Sequence, residues 1–257
     1  LTEHQHVRSA ITRTIARPSF KEIAPVAFAI VETGDFFIGN PDLLMSSITN
    51  YDVRWEYFPS PGALIGVSAF AKTIDKPIEY SQVGQFTQYI NVDSATVYGF
   101  ELEFQRDFSF LADELKPFNL GVNYSFIQSQ ADRGNVGGPA IFGQTRRLQG
   151  QPDYIFNVNL TYDHQDSGWF FGAFLNVTGQ QLSAVSSVFN QPDIFQEPYT
   201  TLDLGISKRL FQGCKLSFRA ANVTNQVIRR VYNNPQKPVF SERSPGINYS
   251  VSLAFDW

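Results

Sequence analysis

Residues 247–257 read INYSVSLAFDW. The odd positions are Ile247, Tyr249, Val251, Leu253, Phe255 and Trp257; the even positions are Asn248, Ser250, Ser252, Ala254 and Asp256. Bulky apolar residues thus alternate with small or polar ones in a strict period of two over eleven residues. Successive side chains of a β-strand point to opposite faces, so the segment is a strand with one greasy and one wet face. A tilted strand of about 9–11 residues is long enough to cross a bilayer.

The same alternation recurs upstream. Tyr51, Val53, Trp55 and Tyr57 interleave with Asp52, Arg54 and Glu56. Tyr98, Phe100, Leu102 and Phe104 interleave with Gly99, Glu101 and Glu103. Phe118–Phe126, Tyr154–Tyr162 and Trp169–Val177 repeat the pattern, and weaker versions cover 7–15, 63–72, 201–210 and 214–224. The reading is all-β, with about ten up-and-down antiparallel strands. Short connections at Pro59–Gly62, Leu111–Pro117, Gln165–Gly168 and Phe211–Gly213 contain turn-forming residues. Long ones, at 17–46, 75–93, 129–146, 179–197 and 226–245, fall between them. Short turns at one end and long loops at the other are the layout of a transmembrane β-barrel, with turns in the periplasm and loops outside.

Composition supports that reading over a water-soluble sandwich. Aromatic residues make up 15% of the 257 residues and charged residues only 17%, against about 25% charged in an ordinary soluble domain. No apolar run is long enough for a membrane helix. Backbone polar groups within hydrocarbon must be paired inside the protein, which a sheet achieves by closing. Its outer face then meets lipid, where a Lys or Arg near mid-bilayer costs about 2–4 kcal/mol. The strong apolar rows contain none; Asp52, Arg54, Glu56, Glu101, Glu103 and Asp163 occupy the opposite rows. Tyr51, Tyr57, Tyr154, Tyr162, Trp169 and Trp257 end the apolar rows, as in an aromatic girdle at each interface.

Other functions find little support. The net charge of −4 and the lack of a basic cluster argue against a nucleic-acid partner. The single cysteine, Cys214, cannot form an internal disulfide, and no Cys/His spacing suggests zinc. The three histidines, His4, His6 and His164, enter no catalytic constellation, so an enzyme and a cofactor are not expected. The sequons at Asn123, Asn159, Asn176, Asn222 and Asn248 read as lumen-facing amides, Asn222 lying near a strand end. The first residue, Leu1, reads as an internal cut point, with no signal peptide visible.

Several segments carry a family resemblance. TIARPSFKEIAP (14–25), GNPDLL (39–44), SITNYDVRWEYFPSPGALIGVSAFAKTIDKPIE (47–79), VYGFELEFQRDF (97–108), EPYTTLDLGISKRL (197–210) and LSFRAANVTNQ (216–226) resemble the carboxy-terminal half of TonB-dependent receptors. The resemblance implies a 22-stranded outer-membrane barrel with an amino-terminal plug folded inside it. It also implies uptake of a bulky nutrient, such as a siderophore, cobalamin or oligosaccharide, driven by the TonB complex acting through the plug. The expectation is that 1–257 is the carboxy-terminal portion of the barrel, without the plug or the amino-terminal strands, and not competent alone. A closed small barrel serving as a passive channel is the alternative; an outer-membrane hydrolase is a weaker one.

Candidate residues follow. Arg54, Glu56, Glu101 and Glu103 project inward near the turn end and are candidates for a plug-facing surface. On the outer loops, Tyr80, Phe86, Tyr89, Phe142 and Tyr232, with Phe189 and Phe195, could stack on a ligand. Tyr249, Phe255 and Trp257 resemble the terminal signal read by the barrel assembly machinery, although Phe is commoner than Trp at the last position.

Overall fold

The computed structural model describes residues 3–29, 36–83, 86–132, 145–186 and 192–255. Ten long strands form one antiparallel wall: β1 (Gln5–Ala16), β2 (Ser46–Tyr57), β3 (Leu64–Asp75), β4 (Ser94–Asp107), β5 (Phe118–Asp132), β6 (Tyr154–His164), β7 (Trp169–Thr178), β8 (Tyr199–Phe211), β9 (Cys214–Ala221) and β10 (Asn248–Phe255). Each pairs with the next in chain order, so the wall is an uninterrupted meander. Among the described residues β1 pairs only with β2 and β10 only with β9, leaving an edge at each side.

Several wall strands run further than the alternation indicates. β2 begins at Ser46, and β5 continues to Asp132, where Thr145–Arg146 pairs with Ala131 and Asp132. β9 is shorter: it ends at Ala221, because Asn222 turns to φ +55°. The turn 165–168 is closed by the Gly168 amide donating to the His164 carbonyl at 2.9 Å. Gly168 sits at φ +67°, and a Cβ there would lie 2.8 Å from Cβ of Arg209, so that corner favours glycine.

Exposure along the wall is opposite to that of a water-soluble sheet. In β4, Tyr98, Phe100, Leu102 and Phe104 are 55%, 40%, 43% and 37% exposed, while Glu101 and Glu103 between them are partly shielded. Register carries each row across the wall: Val67 faces Leu102, and Ser68 faces Glu101. The apolar row is continuous and open to the surroundings, as a lipid-facing surface must be.

The long connections do not remain irregular. Segments 239–243, 228–232, 194–196, 181–186, 78–83, 86–91, 36–38 and 27–29 assemble, in that order, into an eight-stranded sheet capping one end of the wall. Two of its joints are parallel, Val185–Ser186 with Ser81–Gln82 and Phe36–Ile38 with Phe86–Gln88. Parallel pairing needs strands from separate excursions, so these joints tie different loops together. Phe37, Leu182, Val185, Ile194 and Val231 are buried there. No helix among the described residues is long and apolar enough to cross a membrane.

Candidate functional site

The polar face of β1–β4 carries a charged cluster. Arg54 lies directly across from Arg8 in register and reaches in three directions. Its Nε donates to Glu56 Oε1 at 2.9 Å, its Nη1 to Ser68 Oγ at 3.1 Å, and its Nη2 to Glu103 Oε2 at 2.5 Å. Arg8 Nη1 lies 3.1 Å from the other oxygen of Glu56. Glu103 is two strands from Arg54, so the guanidinium must cross β3. Gly66 permits this: a Cβ there would stand 2.9 Å from Arg54 Nη2. Glu56 is only 6% exposed, although it lies on an open sheet face, because both arginines close over it.

Glu101 takes a different partner, accepting from Ser125 Oγ at 3.4 Å. The structure therefore brings Arg54, Glu56 and Glu103 into one network, with Glu101 beside it on the same row. The paired charges are largely satisfied within the wall, and partly exposed pairs of this kind contribute up to about 1 kcal/mol each.

The polar face of β5–β7 is of another kind. Asn157 accepts from Asn176 Nδ2 at 2.5 Å, and Asn176 accepts from Thr178 Oγ1 at 3.2 Å. Asn159 lies against Gly121, where an added Cβ would fall 2.0 Å from its Oδ1. Asp163, at the turn end, is the one ionisable group on these three rows and accepts from Gln165 Nε2 at 2.8 Å. Charge returns at β8 and β9, where Arg219 Nη2 meets Asp203 Oδ2 at 2.5 Å. Asn123, Asn159, Asn176 and Asn248 all share the polar face.

In the cap, the aromatic candidates pack on one another. Tyr80 and Tyr89 meet edge to face at 5.5 Å, and Phe37 lies 5.4 Å from Tyr89. Burial pushes the Tyr89 phenol above the ordinary tyrosine range, with nearby Glu22 and Tyr80 adding to the effect. Tyr232 stacks edge to face on Phe240 at 5.5 Å, and Phe195 pairs through its backbone with Val231. Phe86 opens the strand 86–91. Phe142, Phe189 and Trp257 lie outside the described residues. Tyr249 and Phe255 are both exposed on the apolar row of β10.

Sequence reasoning missed the residues that join the loops. Gln149 accepts from the Tyr80 amide at 2.6 Å and donates to the carbonyls of Tyr80 and Ser183, each at 2.9 Å. Arg146 forms an enclosed ion pair with Glu79. Asn91 donates to the carbonyls of Leu44 and Lys76. These are polar residues in aperiodic stretches, where no local pattern marks a partner.

The family model for the TonB dependent receptor-like β-barrel matches residues 1–225. The chain belongs to the TonB-dependent receptor β-barrel family. No curated protein sequence matches it. Solved structures agree on the fold. A mutant ferric enterobactin receptor of Pseudomonas aeruginosa in complex with enterobactin is 17% identical, with a TM-score of 0.66 over 99% of this chain and 39% of that one. The ferric yersiniabactin uptake receptor of Yersinia pestis is 16% identical, with a TM-score of 0.64 over 100% of this chain and 36% of that one. The copper transporter OprC is 14% identical, with a TM-score of 0.66 over 100% of this chain and 38% of that one. The TonB-dependent receptor chain described here thus spans under two-fifths of the length of these structures. TonB-dependent receptors are outer-membrane transporters rather than enzymes.

Proposed function

We propose that this chain is the carboxy-terminal portion of the wall of an outer-membrane receptor that imports a bulky nutrient, such as a siderophore, a cobalamin or an oligosaccharide, by TonB-coupled transport. The observation that carries the reading is the inverted exposure of the wall. Exposed apolar rows run across the wall, and its charges lie mainly on the other face, with the exceptions near the strand ends. The two open edges support further wall strands from the same receptor, since lipid does not tolerate unpaired strand edges. On this reading the chain does not transport alone.

The charged cluster of Arg54, Glu56 and Glu103, with Glu101 beside it, supplies a plug-facing surface near the periplasmic end. The cap of joined loops forms the outer mouth, where ligand is received. Tyr249, Phe255 and Trp257 serve as the terminal signal for the barrel assembly machinery.

The reading is tested by refolding the receptor that contains this wall with and without detergent micelles. Strand circular dichroism and a dispersed particle are expected only with micelles. A monomer that folds in plain buffer, with the apolar rows protected from a water-soluble quencher, overturns the assignment. Coupled uptake is tested in cells expressing the receptor that contains this wall: uptake of its nutrient is expected to stop when the TonB complex is removed.

A further inference from the structure

The apolar rows bear charge only at their ends. Arg13, Asp75 and Asp132 stand at the cap end, and Arg106 and Lys208 at the turn end. Lys208 lies across from Trp169 in register, with its Nζ 4.9 Å from the centre of the indole ring. It also donates to the Ser167 carbonyl. No carboxylate pairs with it among the described residues, and one backbone acceptor leaves ammonium donors free.

A groove of about 410 Å³ begins one row from Lys208 on the same face, at Phe171 and Ile206. Its origin is a row of small residues. Register sets Ala173, Leu204 and Ala220 side by side, one step above Phe171, Ile206 and Phe218. Two methyl groups where the next row toward the turn carries the rings of Phe171 and Phe218 leave a hollow, and Tyr162 and Phe171 are among the residues that line it. The lining is mostly apolar, with Thr161 and Tyr162 its polar members, and such a hollow accepts hydrocarbon in preference to a hydrated ligand.

We propose that Lys208, Trp169 and this groove form a site for one anionic phospholipid of the periplasmic leaflet. The inference rests on the outer-membrane reading of the wall. The acyl chain lies in the groove, the phosphate contacts the Lys208 ammonium, and the Trp169 ring sits at the depth where headgroup meets hydrocarbon. A zwitterionic headgroup brings its own cation, which competes with Lys208, so the site selects net negative charge.

The test uses the receptor that contains this wall, folded in mixed micelles containing phosphatidylglycerol or phosphatidylcholine with brominated acyl chains. The quenching lost on Trp169→Phe is the Trp169 contribution. Quenching of Trp169 is expected at about fivefold lower phosphatidylglycerol than phosphatidylcholine. Lys208→Gln should equalise the two lipids, and Ala173→Phe should weaken quenching by both while leaving strand content unchanged. Equal quenching by the two lipids in the unmodified chain, or a preference that survives Lys208→Gln, overturns the site but not the wall. A receptor whose wall folds without micelles overturns both.

Discussion

Glu79 and Arg146 are 67 residues apart in the chain and lock together inside the cap, with Arg146 Nη1 donating to Glu79 Oε1 at 3.1 Å. Their side chains are 1% and 11% exposed. The same Glu79 oxygen accepts from the Gln149 amide at 3.2 Å, so one carboxylate organises the loop entering β6. Gln149 then reaches the Ser183 carbonyl and brings in a third excursion. Polar side-chain contacts thus join the loops of the cap in addition to its own backbone pairing, while the wall is held by long backbone ladders.

Removing one partner of that pair should loosen the cap and spare the wall. Glu79→Ala leaves Arg146 buried without its counter-charge, a change that costs about 3–5 kcal/mol. Amide hydrogen exchange is the measurement. Faster exchange is expected in 78–83 and 181–186, with little change in β4 and β5. A uniform effect across the chain would contradict the division into cap and wall.

Facing on the last strand can be read by substitution. Val251 lies opposite Phe218 on the apolar row, and Ser252 lies opposite Ser217 on the other. Val251→Arg should cost about 2–4 kcal/mol of bilayer stability, and Ser252→Arg much less. Folding yield into lipid vesicles compares them within the complete receptor. Equal yields refute the assigned facing.

Gly66 should control the reach of Arg54. Gly66→Ala places a methyl carbon 2.9 Å from Arg54 Nη2 and must displace the guanidinium from Glu103. The stability cost is expected near 1 kcal/mol, since the pair is partly exposed. If the cluster holds the plug, Gly66→Ala and the charge reversal Arg54→Glu both weaken plug retention, measured by protease release of the plug from the full receptor. Unchanged retention in Arg54→Glu counts against docking.

Tyr89 should give the cap an alkaline limit. Its phenol is held protonated by burial, so its folded pKa lies above the unfolded one. Stability from that protonated state is fully present below the ordinary tyrosine range and is lost as pH rises through the raised value. Tyrosinate absorbance should rise together with proteolysis at 78–91, and Tyr89→Phe should remove the coupled step. Cleavage that stays pH-independent in the unmodified chain argues against it.

Much of the wall was legible from local pattern. Period-two alternation depends on residues two apart, so rows such as Tyr98–Phe104 and Tyr249–Phe255 declare both strand and facing without knowledge of their neighbours. Arg54, Glu56 and Glu103 could be placed on one face for the same reason. That Arg54 crosses to Glu103, while Glu101 turns to Ser125, could not be read, because it depends on register and on the missing side chain of Gly66. Tyr80 and Tyr89 looked like free loop aromatics; they meet Phe37, which belongs to another loop.

By itself, then, the sequence determined that the chain makes an antiparallel β-barrel wall and which side chains share a face, since alternation is written into each strand separately. The tertiary structure alone decided that four excursions knit into a capping sheet, that Glu79 finds Arg146, and that Ala173 and Ala220 hollow the apolar face. Those contacts join segments tens of residues apart, and only the strand register that brings them together selects one partner among many chemically equivalent ones.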